Sequence, residues 1–395
     1  MTPAPRHSSD ALRARREARR RAIRRRRLAA LAVVVGLPAA VVGFALAHDD
    51  RGARPVERRS RGSPDANAWR PSAALARARV TIVATGDIAV NDPAGTAPPL
   101  FANVRAALRG EVVIGNLEGA LTTGGESKCE RRRSTNCFAF RAPPHYARVL
   151  RRAGFTVLTL ANNHSGDFGA QGRAETVAAL RAARLGGAGY GERPPVNRVG
   201  GVRVAVLGFA PGHAGWDLRS PLDVTKRVLD AAARADVVVV TMHAGAEGPG
   251  SEHVQRGDEV FLGESRGDVV AFAHAAVEAG ADLVVGHGPH VLRGMEWYRR
   301  RLIAYSLGNF AGYRSLATAG PARVSGILRV TLRGDGRWVR GRLVPIRLVK
   351  PGIPVLDEAE EAHGIVRRLS REDFHRRGAR VTRDGRILRP AKSAR

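Results

Sequence analysis

Five strand-like runs in this sequence end in side chains that can bind a cation or move a proton. Gly86-Asp87 closes one run and Asn116-Leu117-Glu118 another. Asn162-Asn163-His164 closes a third, with Asp167 just behind; His243 and His287-Gly288-Pro289-His290 end the remaining two. Each has an ordinary explanation alone: a cap for Asp87, a surface carboxylate for Glu118, a turn pair for Asn162 and Asn163, structural histidines for His164 and His243. At successive strand ends they describe one shared site, because ligands of α/β sheets gather outside the carboxyl ends of the strands. Carboxylates, an amide oxygen and imidazoles make a mixed N/O set that suits one or two divalent ions of manganese, iron or zinc. A carboxylate bridging two such ions fits ester hydrolysis. Glu247, in the loop after His243, is a candidate substrate contact, and Asn116 and Asn162 are read in the same way.

The elements that must position these groups alternate. Runs at 80–87, 112–118, 156–161, 202–209, 237–242 and 283–285 read as strands; 100–108, 143–153, 171–183, 222–234 and 268–279 read as helices. This predicts α/β architecture with helices covering buried sheet. After His290 the pattern changes. Segments 295–298 and 302–307 can pair across 299–301, and 324–332 with 338–348 flank Gly334-Asp335-Gly336, a hairpin signal. A late antiparallel section predicts mixed sheets, two of them packed together.

The chain holds 65 Lys and Arg against 36 Asp and Glu, a net charge of +29. Such a surplus suits an anionic polymer or an anionic membrane, although an Arg- and Ala-rich composition accounts for part of it. Residues 1–27 read as a basic cytoplasmic segment and the uncharged run 28–47 as a transmembrane anchor. The competing reading of 28–47 is a signal sequence cleaved after Ala45-Leu46-Ala47. Either places the chain beyond residue 47 outside the cytoplasm, as a single-pass protein of the cell membrane or, if cleaved, a secreted one. Nucleic acid is accordingly not an expected partner. Residues 48–78 read as a disordered linker, 79–350 as the folded domain, and 351–395 as a basic C-terminal tail with at most a marginal helix. Cys129 and Cys137, the only two cysteines, lie in one polar stretch without a histidine at zinc-site spacing. In an extracytoplasmic domain they are expected to form a disulfide that pins a loop; two free thiols are the alternative.

Gly86-Asp87-Ile88, Asn116-Leu117-Glu118, Phe140-Arg141-Ala142-Pro143-Pro144 and Ala161-Asn162-Asn163-His164 together resemble the CapA family. So do His243-Ala244-Gly245 with Glu247, Gly286-His287-Gly288-Pro289-His290, and Tyr305-Ser306-Leu307-Gly308-Asn309-Phe310, over roughly residues 80 to 350. The resemblance implies a metallophosphatase-like four-layer α/β/β/α sandwich, a role in poly-γ-glutamate capsule synthesis or export, and other capsule-synthesis membrane proteins as partners. It further implies Asp87 as a ligand of the first ion, Glu118 as the bridging carboxylate and Asn163 as the amide ligand. His243, His287 and His290 become imidazole ligands. His164 becomes the group that steadies a transition state or protonates a leaving group, oriented by Asp167. Two rival functions stay open: a metal-dependent phosphoesterase acting on envelope phosphodiesters or lipid phosphates, and a non-catalytic polyanion-binding scaffold. The sequence departs from the broader calcineurin-like phosphoesterases, which open with Asp-x-His, because Ala89 follows Asp87-Ile88. His290 is then expected to be the only imidazole on the first ion. Ala244 stands where the family commonly has Trp, and Asn91-Asp92 differs from the usual end of the first motif.

Overall fold

Strand β1 (Arg79–Ile88) lies at the centre of a mixed sheet, and its alternating side chains serve two different cores. The computed structural model describes residues 73–132, 137–212 and 216–390. The segment 1–27, the apolar run 28–47 and residues 48–72 lie outside the described residues, and no described helix is long and apolar enough to cross a membrane.

The first sheet gathers β1, β2 (Val112–Leu117), β3 (Val157–Thr159) and β4 (Gly186–Ala188), all parallel. The second is built on β5 (Val196–Val199), β6 (Val202–Phe209), β7 (Val237–His243) and β8 (Leu283–His287). It is extended by β9 (Met295–Tyr298) and β10 (Arg301–Ala304), in the order β9-β10-β8-β7-β6-β5. The chain then returns to the first sheet. Strand β11 (Asn309–Ala311) runs parallel beside the end of β1, and β12 (Val324–Arg333), β13 (Trp338–Val349) and β14 (Ile353–Leu356) extend the sheet antiparallel from that same edge of β1, away from β2.

Burial sorts these strands into four layers. Val80, Ile82, Ala84, Val112, Ile114 and Val157 meet Val204, Val206, Val237, Val239, Leu283 and Val285 in a core between the sheets. The opposite face of the first sheet, with Val83, Val113 and Leu158, packs on Tyr146, Ala147 and Leu150 of α1 (Tyr146–Ala153) and Leu180 of α2 (Gly169–Ala182). Ala205, Leu207, Val238 and Val240 pack on α3 (Pro221–Ala232) and α4 (Val269–Glu278). Strands buried on both faces read as continuous apolar runs, which is why β7 is Val-Val-Val-Val.

The segment 351–395 is not a tail as far as Pro390. Its α5 (Glu361–Phe374) buries Ala362, Val366 and Leu369, and Val381 and Ile387 beyond it join the core between the sheets. The apolar stripe at 362, 366 and 369 has helical spacing, but the arginines around it conceal it in composition. The linker likewise ends early, in a short helix Ala73–Arg77 whose Leu75 packs on the same core. The helix expected at 100–108 reduces to one 3-10 turn, Ala102–Val104.

One glycine sets the geometry of the site. β1 passes so close to the segment before β11 that a Cβ on Gly86 would lie 1.8 Å from the Gly308 carbonyl oxygen, and Asp87 N–H donates to that same oxygen at 3.0 Å. Gly86→Ala is therefore expected to cost about 3 kcal/mol or more of folding stability. Chemical denaturation measures it, and an unchanged midpoint would contradict this packing.

Candidate metal centre

Two rows of polar side chains meet where the strands of the two sheets end. Across the first sheet Asn309, Asp87, Asn116 and Thr159 stand in register on β11, β1, β2 and β3. Across the second, His243 of β7 and His287 of β8 are direct neighbours, so both side chains leave the same face. The rows touch. Asn116 Nδ2 donates to Asp87 Oδ1 at 2.8 Å and lies 3.1 Å from His243 Nδ1. Asn162 Nδ2 donates to Asn116 Oδ1 at 2.9 Å and to the Leu117 carbonyl at 2.8 Å, and Asn162 Oδ1 accepts from His164 N–H at 3.1 Å. Asn116 and Asn162 are thus the buried struts of the site.

Glu118 occupies the middle. It is fully buried, and neither carboxylate oxygen has a hydrogen-bond partner. Three imidazole Nε2 atoms surround its Oε1: His290 at 3.6 Å, His164 at 3.8 Å and His243 at 3.8 Å. Asp87, Glu118 and His243 offer ligand atoms within 4.8 Å of one another, a group that can hold a metal ion. A buried carboxylate left without donors is what a cation would satisfy, so the residues present fit a divalent metal.

His290 stands beside this group. Its backbone is left-handed, with φ of 59°, and the turn before it uses Gly288, with φ of 105°, whose N–H reaches Asp87 Oδ2 at 3.2 Å. His290 Nδ1 is 2.9 Å from Asn309 Oδ1 and 3.2 Å from Asp87 Oδ2, which leaves Nε2 directed at Glu118. A strained non-glycine backbone at such a point costs on the order of 1–3 kcal/mol, which the surrounding bonds must offset. His287 is placed differently from the expected ligand. Its Nε2 is 2.9 Å from the Thr85 carbonyl, to which it donates, so only Nδ1 remains without a partner. Asn163, the expected amide ligand, is exposed, and its carbonyl accepts from Lys128 Nζ at 3.3 Å.

His164 is held as a proton carrier would be. Nδ1 is 2.9 Å from Asp167 Oδ2, and the ring stacks on Phe140 with centroids 4.6 Å apart. Asp167 Oδ2 also accepts from Phe140 N–H at 2.7 Å, and Oδ1 forms an ion pair with Lys128 Nζ at 2.7 Å. Lys128 and Phe140 flank the loop closed by a disulfide between Cys129 and Cys137. The crosslink therefore ties together the two stems that back His164.

Burial dominates the electrostatics. It raises the Glu118 carboxyl to about 8 against the pull of His290. Burial also lowers His164, against the hydrogen bond and charge of Asp167, and lowers His287 and, further still, His243. At Asp87, burial is outweighed by the hydrogen bond and charge of His290, and the carboxyl falls well below its ordinary range. His290 opposes its own burial through Glu118 and Asp87 and rises to about 10.

Three further residues complete the site. Arg266 is almost fully buried, bonds Glu247 directly and lies 3.4 Å from His243 Nε2, while Glu247 Oε2 is 3.8 Å from His290 Nε2. Asn309 belongs to the Tyr305–Phe310 motif, which the sequence left without an assigned role. Arg266 and Lys128 carried no local signal, being two arginine- and lysine-bearing positions in a strongly basic chain.

The sequence of residues 81–313 matches the family described as bacterial capsule synthesis protein PGA_cap. The capsule biosynthesis protein CapA of Bacillus anthracis is 29% identical over 282 residues, covering 66% of this chain and 64% of that protein. The PGA biosynthesis protein CapA of Bacillus subtilis is 30% identical over 246 residues, covering 57% of this chain and 60% of that protein. The chain thus spans less than two thirds of the length of these relatives. A solved phosphatase from Mycoplasma pneumoniae aligns over 69% of this chain and 94% of its own at 12% identity, with a TM-score of 0.43. With the family's region running from β1 to just past β11, and so through every strand end that builds the site, the chain belongs to the bacterial capsule synthesis protein PGA_cap family.

Proposed function

We propose that this protein is a membrane-anchored component of poly-γ-glutamate synthesis or export, with its folded domain outside the cytoplasm and a divalent-metal centre at Glu118. The observation that carries the metal centre is the Glu118 carboxylate, buried, free of hydrogen bonds and ringed by three imidazole nitrogens at 3.6–3.8 Å. Membership of the family supports the polymer, and the net charge of +29 suits an acidic one. The apolar run 28–47 after an arginine-rich segment supports the anchor.

A divalent ion at such a site supplies charge against a developing oxyanion and acidifies water. The chain supplies the rest. Asp87 and Glu118 present negative charge, and His243 and His290 present imidazole nitrogens. His164, lowered by burial and held through Nδ1 by Asp167, presents Nε2 as a proton acceptor, and once that nitrogen has taken up a proton it can pass it to a departing oxygen. Arg266 offers a guanidinium to an anionic group once Glu247 yields it. The His164–Asp167–Lys128 chain favours a second reading, a metal-dependent phosphoesterase of envelope phosphodiesters or lipid phosphates.

Full-length protein purified with Mn²⁺ is expected to retain metal, and Glu118→Gln to lose it, as read by elemental analysis. A protein that holds no metal sinks both readings. On a chromogenic phosphodiester, the phosphoesterase reading predicts turnover that His164→Ala lowers by about 100-fold or more. Metal binding without turnover removes that reading and leaves the first.

Metal uptake should also depend on pH. Burial pushes Glu118 up, and against its own burial the neighbouring carboxylates push His290 up, so at pH 7 the pair holds at least one proton that a cation must displace. Affinity should therefore climb about tenfold or more per pH unit between pH 6 and 8, with at least one proton released. Calorimetry in buffers of different ionisation enthalpy counts that proton, and an uptake that releases none would contradict this account.

A further inference from the structure

Away from the strand ends that carry Asp87 and Glu118, the first sheet presents a strongly basic groove. Arg329 on β12 stands directly across from Arg342 on β13, and Arg342 forms an isolated antiparallel bridge with Arg386. Like charges directly opposite in a sheet destabilise it unless an anion offsets them. Arg340 lies two residues before Arg342, opposite Thr331, and so shares its face. Together with Arg389 and Trp338 these residues line a groove of about 550 Å³, and among the described residues that line it none is a carboxylate, Glu111 reaching only the backbone N–H of Thr81 at its edge.

The arginines are not equally engaged. Arg329 donates to the Ala107 and Arg109 carbonyls, each at 2.7 Å, and Arg386 meets Asp384 at 2.9 Å. Arg340 and Arg342 are exposed, and among the described residues neither has a carboxylate partner. The floor is rigid. Trp338 packs edge-on against Trp297 with centroids 4.8 Å apart and lies over Gly341, where a Cβ would be 2.3 Å from the ring. Arg389 stacks on Trp297 at 5.2 Å.

We propose that this groove binds a stretch of an acidic polymer carrying a carboxylate on each repeat. Neighbouring strands are about 4.8 Å apart and alternate residues on one strand about 6.7 Å apart, so the guanidinium roots recur on the scale of one polymer unit. Planar, always-charged guanidinium groups suit carboxylates, and the aromatic floor covers the apolar part of the repeat. A concave groove fits a chain better than a flat lipid surface. Thr81 at its edge precedes Asp87 by a stretch of β1 about 20 Å long, so the groove is separate from the metal centre. The identity of the polymer rests on the polyglutamate reading above; the groove itself does not depend on metal.

The test is binding of fluorescent poly-γ-glutamate to the full-length protein, with oligo(dT) and phosphatidylglycerol vesicles as comparison probes. Arg340→Glu/Arg342→Glu is expected to weaken polyglutamate binding by at least about fivefold, and by more than it weakens either comparison probe. Arg340→Lys/Arg342→Lys should retain binding, and both variants should keep the native melting temperature and metal content. A polyglutamate loss below about fivefold, no polyglutamate binding by the native protein, or an equal or larger loss for oligo(dT) or vesicles overturns the proposal. Loss of metal from Glu118→Gln with polyglutamate binding intact would separate the two sites, so failure of one reading is distinguishable from failure of the other.

Discussion

A carboxylate with both oxygens buried and neither hydrogen-bonded is among the costlier groups a fold can carry, because nothing repays its lost hydration. Glu118 is such a group, and most of what surrounds it is arranged to present imidazole nitrogens to one of its oxygens. Burial alone would keep it protonated at neutral pH. The neighbours point elsewhere, since a bare proton does not call for three histidines and a second carboxylate around one oxygen. A divalent cation balances that set.

The two-sheet architecture is what allows this convergence. Asp87, Asn116 and Asn309 come from the first sheet and His243 and His287 from the second, and no single βαβ unit could bring them together. Parallel strands in both sheets end on the same side, so polar residues are confined to one edge of an otherwise apolar interior. The chain crosses to the second sheet after β4 and returns at β11. That return places Asn309 against His290 and makes Gly86 indispensable. The disulfide acts at the periphery, tying Lys128 and Phe140 behind His164.

Much of this was legible in the sequence, for a physical reason. Strands buried on both faces are nearly uninterrupted apolar runs, so the polar residues that close each run mark a strand end, and Asp87, Glu118, His164, His243 and His290 all lie in such closing segments. What stayed hidden depends on distance along the chain. Arg266 reaches His243 across 23 residues and Lys128 reaches Asp167 across 39, and neither spacing has a local signature. The same limit applies to nitrogens: sequence places His287 at the site but does not show that Thr85 takes its Nε2. Helix α5 was obscured because its arginines mask the stripe of Ala362, Val366 and Leu369. Composition reported a tail where periodicity reported a helix.

The central claim is that Glu118 is a metal ligand. Anomalous diffraction from crystals of the protein grown with Mn²⁺, recorded on both sides of the manganese absorption edge, tests it most directly. The account predicts an anomalous peak about 2.2 Å from a Glu118 oxygen, with Asp87 and at least one of His243 and His290 also within bonding distance. A peak elsewhere, or none beside Glu118 at saturating metal, would contradict it.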